Sequence, residues 1–100
     1  MKLYVIDCNN IESEEDFWAA YLQLVKPDGT EYFGRNLHAF WDALSAGGPG
    51  FPNDEAGCEI QFTNMASIKL LSSGAFYYAL KGIENALKTG GYGNVYIKVE

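Results

Sequence analysis

Apolar residues recur along this chain with two different periods, and each change of period marks an element boundary. Between Lys2 and Asp7 the residues Leu3, Val5 and Ile6 sit among polar neighbours. Asp-Cys-Asn-Asn then closes the segment, which predicts a first strand and a turn. Phe17, Tyr21, Leu24 and Val25, with Trp18 at the margin, repeat at helical spacing and predict a first helix to about Val25. Ser13 with Asp16 three residues later reads as a capping box. Glu14, Glu15 and Asp16 place acid where the helix dipole favours it, so the acidic run needs no function beyond starting the helix. Lys26-Pro27-Asp28-Gly29 stops that helix and supplies a turn.

A second helix is expected from Leu37 to about Ser45, with Asn36 as its N-cap and Gly34 letting the entering backbone turn. Leu37, Phe40, Trp41 and Leu44 form its core-facing stripe. Asp42 lies off that stripe, with His38 one turn earlier and the short side chains of Ala39 and Ala43 on the same outward side. Ser45-Ala-Gly-Gly-Pro-Gly-Phe-Pro52 then predicts a mobile loop, with Phe51 as an exposed anchor. The loop lacks the lysine of a phosphate-binding P-loop. Cys58, Ile60 and Phe62 alternate within a second strand spanning Glu55 to Thr63, after which Asn64 is expected to cap a short helix through Leu71. From Ala75 to Thr89 the residues Phe76, Ala79, Leu80, Ile83, Ala86 and Leu87 form one apolar arc, the clearest amphipathic helix of the chain. Gly90-Gly91 ends it, and Val95, Ile97 and Val99 alternate in a third strand. Strands separated by helical crossovers require a small three-stranded parallel sheet with right-handed connections and about four helices, an α/β fold in a single domain over residues 1–100.

Composition narrows the function classes. With 48% apolar and 15% aromatic residues the chain can build a core, and its formal charge of -6 opposes nucleic acid or an anionic membrane as a direct ligand. The same charge draws in a basic partner. No apolar run approaches the roughly 20 residues of a membrane span, and the start reaches Asp7 too soon for a signal peptide, so a cytoplasmic location is expected. Cys8 follows the first strand while Cys58 begins the second, which puts the thiols at opposite ends of a parallel pair and predicts no disulfide. His38 is the only histidine and has no identified nucleophile or metal set beside it. Catalysis, a metal and a cofactor are therefore not expected.

The segment Tyr-Phe-Gly-Arg-Asn-Leu-His-Ala-Phe-Trp-Asp, residues 32–42, resembles the signature of the barstar family, intracellular inhibitors of the secreted ribonuclease barnase. Tyr32, Phe33, Gly34, Asn36, Leu37, Ala39, Phe40, Trp41 and Asp42 match it, and the order of elements is similar along most of the chain. His38 stands where the family usually places its first acid, and Arg35 stands where that inhibitor has a glutamate. The resemblance implies a barstar-like α/β fold and an immunity or inhibitor role against a basic nuclease toxin, most readily a ribonuclease, with Asp42 entering the nuclease active site. It implies a partner-binding surface of Tyr32, Phe33, Gly34, Arg35, Asn36, His38, Ala39, Asp42 and Ala43. Tyr77 and Glu84 are expected to extend that surface, because aromatics and acids suit contact with a basic partner. The two missing acids point to a toxin other than barnase or to a weaker grip. A non-ribonuclease competition toxin, or a non-inhibitory adaptor role on the same fold, are the alternatives. The free protein is expected to be a monomer.

Overall fold

A computed structural model describes residues 2–52, 57–90 and 94–100. Strands β1 (Lys2–Asp7), β2 (Cys58–Thr63) and β3 (Val95–Val99) form a parallel sheet in the order β1-β2-β3. Helices α1 (Glu14–Val25), α2 (Leu37–Ala46) and α3 (Ala75–Gly90) complete the α/β fold. Of the expected second strand, Glu55 and Ala56 lie outside the described residues, as does Gly91 after α3.

The sheet buries one face. Tyr4, Ile60 and Ile97 share one row and Ile6, Phe62 and Val99 the next, all pointing toward the helices. Successive strands step in the same direction across the sheet, so right-handed crossovers lay every helix on the same side. Accordingly, Phe17 of α1 and Phe40 of α2 both meet Phe62, at 5.0 and 6.5 Å between ring centroids, and Phe76 of α3 meets Phe17 at 5.1 Å. Trp18, Tyr21 and Phe33 complete this aromatic core, and each such side chain contributes about 1.5–3 kcal/mol by leaving water. The opposite face is open. Leu3 and Val5 lie on it and are 54% and 47% exposed, although their apolar character reads as core in the sequence. Leu24 is also exposed, because α1 is rotated to bury Trp18 fully.

The expected fourth helix is not an α-helix. Ile68–Gly74 winds as 3-10 turns interrupted by extended backbone at Leu71 and left-handed backbone at Ser72 and Ser73. Asn64 does not cap it. Its own φ is 55°, its N–H donates to Glu100 Oε1 at 2.7 Å, and its side-chain amide donates to Asp7 Oδ1 at 2.9 Å. All three strands end at this edge, and an asparagine, which tolerates left-handed backbone, ties their ends together. The two thiols are free and buried, at opposite ends of the β1–β2 pair as expected. Among the described residues no helix is long and apolar enough to cross a membrane.

Candidate partner-binding site

The expected junction between α1 and α2 forms around one side chain. Asn36 Oδ1 accepts the Ala39 N–H at 2.7 Å, capping α2, while Asn36 Nδ2 donates back to the Gly34 carbonyl at 3.1 Å. These two hydrogen bonds, one accepted and one donated by the same amide, close the chain around Arg35, whose φ of 53° is left-handed. The turn is therefore made at Arg35 rather than at Gly34. Gly34 serves a different need: a Cβ there would lie 3.1 Å from the Ala39 Cβ and 3.3 Å from Asn36 Nδ2, so the loop packs this closely on α2 only without a side chain.

The two aromatics of the junction part company. Phe33 is buried, with its ring centroid 5.7 Å from Trp18 and 6.0 Å from Tyr21, whereas Tyr32 is 76% exposed at the rim. Phe33 thus holds the loop to the core, and its side chain is almost entirely withdrawn from the surface. Ala43, expected on the outward side, also lies inside. It is fully buried, because α2 turns Phe40, Ala43 and Leu44 inward and leaves Leu37 and Trp41 at the margin. A narrower outward face remains, made of Arg35, Asn36, His38, Ala39 and Asp42. His38 Nε2 lies 3.6 Å from Asp42 Oδ2, and the two side chains are 87% and 57% exposed.

Behind α2, where the glycines and prolines predict a mobile loop, lies a brace. Gly47 caps the helix with left-handed backbone at φ 73°. The Gly50 N–H then donates to the Asp28 carbonyl at 2.7 Å, and the Asp28 N–H donates to the Phe51 carbonyl at 3.1 Å. Tyr21 donates its hydroxyl hydrogen to the Gly50 carbonyl at 2.7 Å. Pro52 is buried and Phe51 packs partly against the core, so neither is a free anchor. The loops on either side of the junction are thereby zipped to each other and to α1. A tyrosine on the buried stripe of α1 was the available signal, since a buried hydroxyl needs an acceptor.

Tyr77 and Glu84 have employment inside the protein. The Tyr77 hydroxyl donates to the Glu100 carbonyl at 2.7 Å, and the Lys69 ammonium lies 5.2 Å from its ring centroid. Glu84 Oε2 accepts the Val99 N–H at 2.7 Å, while Lys81 Nζ donates to the Val99 carbonyl at 3.2 Å and pairs with Glu84 Oε1 at 2.8 Å. Together Lys81 and Glu84 occupy the edge positions that a further strand would use, protecting β3 from unwanted pairing. The hydrogen bond that Lys81 donates to the Glu84 carboxylate also raises the Lys81 pKa above its ordinary value.

What the outward face of α2 offers is a projecting carboxylate on a capped, braced helix, flanked by the short side chain of Ala39 and by His38 and Arg35. A groove of about 420 Å³ lies elsewhere, along β3, lined by residues such as Glu59, Lys88 and Tyr96. Comparison with curated proteins returns no match. The family model of barstar, the barnase inhibitor, matches residues 1–95, which takes in all three helices, the brace and the Asp42 face, and the chain belongs to the barstar family.

Proposed function

We propose that this protein is an intracellular immunity protein that neutralises a basic nuclease toxin, most readily a ribonuclease, by covering its active site with the loop and helix from Tyr32 to Asp42. The observation that carries the reading is the Asp42 carboxylate, exposed on a helix whose start is capped by Asn36 and whose end is braced through Gly50. A carboxylate held in place before binding loses little freedom on association, so more of its attraction appears as affinity. Asp42 acts as a phosphate mimic for Arg, Lys or His in the toxin, Tyr32 packs at the rim, and Ala39 lets the partner surface approach. No substrate is turned over. Family membership supports an inhibitor role, and the formal charge of -6 supports a basic partner.

The test is capture from the native cell on wild type and on Asp42→Ala, with the recovered protein assayed for RNA cleavage. Removing a desolvated charge from such a contact costs roughly 2–5 kcal/mol, so Asp42→Ala should weaken binding at least about thirtyfold. A nuclease recovered by wild type and silent until released is the expected result. A loss below about threefold, or equal recovery of a non-nuclease by both proteins, would refute the reading.

A further inference from the structure

The face that presents Asp42 is not uniformly acidic, and its polarity has a direction. Its N-terminal end carries Arg35, which is exposed and has no ion-pair partner among the described residues. The first turn of α2 contains no acid, whereas that of α1 contains Glu14, Glu15 and Asp16. The helix dipole therefore adds to Arg35 instead of being offset. His38 stands between, and Asp42 lies about 6 Å further along the axis than His38.

Arg35 is also held in place. Its φ of 53° is left-handed, a conformation disfavoured for a residue with a Cβ. That conformation persists because the Asn36 amide grips the Gly34 carbonyl on one side and the start of α2 on the other. A guanidinium launched from a fixed backbone is a suitable anchor, and its planar fork matches a carboxylate with two parallel hydrogen bonds.

We infer that Arg35 selects the partner: the surface that receives Asp42 on a cation also carries a carboxylate that receives Arg35, and a pocket rim that is cationic throughout is rejected. This rests on the proposed inhibitor role and adds the chemistry of the target to it. Like charges brought together in an interface disfavour the wrong complex by several kcal/mol, so one residue is sufficient for such discrimination.

Barnase, the nuclease named for the family, is the probe, used as wild type and as a panel in which single Lys or Arg residues around its active site are replaced by glutamate. Affinities are measured for the wild-type domain, Arg35→Glu, Arg35→Asn and Asp42→Ala. Arg35→Asn removes the charge with a residue that suits left-handed backbone, which separates charge from folding. Arg35→Glu should bind unmodified barnase at least about tenfold more tightly than the wild-type domain does, with Arg35→Asn intermediate. One glutamate-bearing barnase should gain a similar factor toward the wild-type domain and lose that gain against Arg35→Glu. If Asp42→Ala weakens binding while neither Arg35 variant changes it and no glutamate panel member gains, the Arg35 inference is overturned and the inhibitor reading stands. If no variant, Arg35→Glu included, binds any of the barnase panel, the Arg35 inference is overturned and the inhibitor reading is decided by the capture from the native cell; if binding occurs but is indifferent to Asp42, the inhibitor reading itself falls.

Discussion

Tyr21 and Gly50, 29 residues apart in the chain, are joined by a buried hydrogen bond of 2.7 Å from the tyrosine hydroxyl to the glycine carbonyl. This bond fixes the loop that leaves α2 to the helix that precedes it. Burial also raises the Tyr21 pKa far above the ordinary tyrosine range, with negative charge from Cys58 and Tyr4 adding to it. Tyr21→Phe leaves the Gly50 carbonyl without its partner and should cost about 1–3 kcal/mol in urea unfolding. Gly50→Ala should be worse: φ is 94° and the new Cβ would sit 2.5 Å from Phe33 Cδ1. Gly47→Ala supplies the comparison, since its φ is also positive but its Cβ would meet nothing within 4 Å. Equal losses for the two glycines would show that backbone strain alone, and no contact with Phe33, governs the brace.

Asn36 has two separable roles. Asn36→Ala should lose about 1 kcal/mol with the helix cap and also free the Gly34 carbonyl. Asn36→Asp keeps an oxygen for the Ala39 N–H but removes the donor to Gly34. It should retain most of the stability and still bind the partner less tightly, because the Arg35 turn is loosened. Calorimetry of unfolding and of binding on the three proteins separates the effects; matching affinities for wild type and Asn36→Asp would rule out the donor's role.

The Glu84 carboxylate is expected to matter for folding. Glu84→Gln retains an acceptor for the Val99 N–H, whereas Glu84→Ala leaves it to solvent and releases Lys81. Glu84→Ala should lower stability by about 1–2 kcal/mol and Glu84→Gln by less. Neither should change affinity for the partner by more than about threefold. A large affinity loss with unchanged stability would return Glu84 to the binding surface.

Cys8 links stability to alkaline pH. Burial, with Asp7 and Glu100 adding negative charge nearby, pushes its thiol up to about 12 from an ordinary value of 9.0. The folded protein therefore keeps this proton longer than the unfolded chain does. Its contribution is fully present below pH 9 and is lost as pH rises towards 12. The native thiol should resist alkylation at pH 8, and stability should decline less steeply above pH 9 in Cys8→Ala than in wild type. Parallel declines in the two proteins would count against the linkage.

Much of this was legible in the residues. The three strands, the caps at Ser13 and Asn36, the extent of α2 and the helix beginning at Ala75 all follow from local signals: periodicity, a side-chain oxygen before a helix, and glycine after it. The place of Asp42 beyond the apolar stripe of α2 was legible for the same reason, since spacing on a short helix is a local property, while a role in meeting a partner is what the family resemblance implies. Less legible were residues whose role depends on a distant partner. Phe33 and Ala43 turned inward because of where α1 and the sheet lie, and Glu84 turned toward Val99 because α3 runs along β3. The run of glycines and prolines after α2 looked mobile because its hydrogen-bond partners, Asp28 and Tyr21, are far away in sequence.

The sequence by itself determined the order and type of the three strands and three α-helices, the absence of a disulfide between Cys8 and Cys58, the cap that starts α2 and the presence of one carboxylate beyond its apolar stripe. Those depend on interactions among near neighbours, or on the direction of two paired strands. Only the tertiary structure decided which face of the sheet is buried, that the turn falls at Arg35, and which of the expected contact residues remain free to meet a partner. Burial is a property of the assembled layers, and a side chain's availability is settled by what packs against it from elsewhere in the chain.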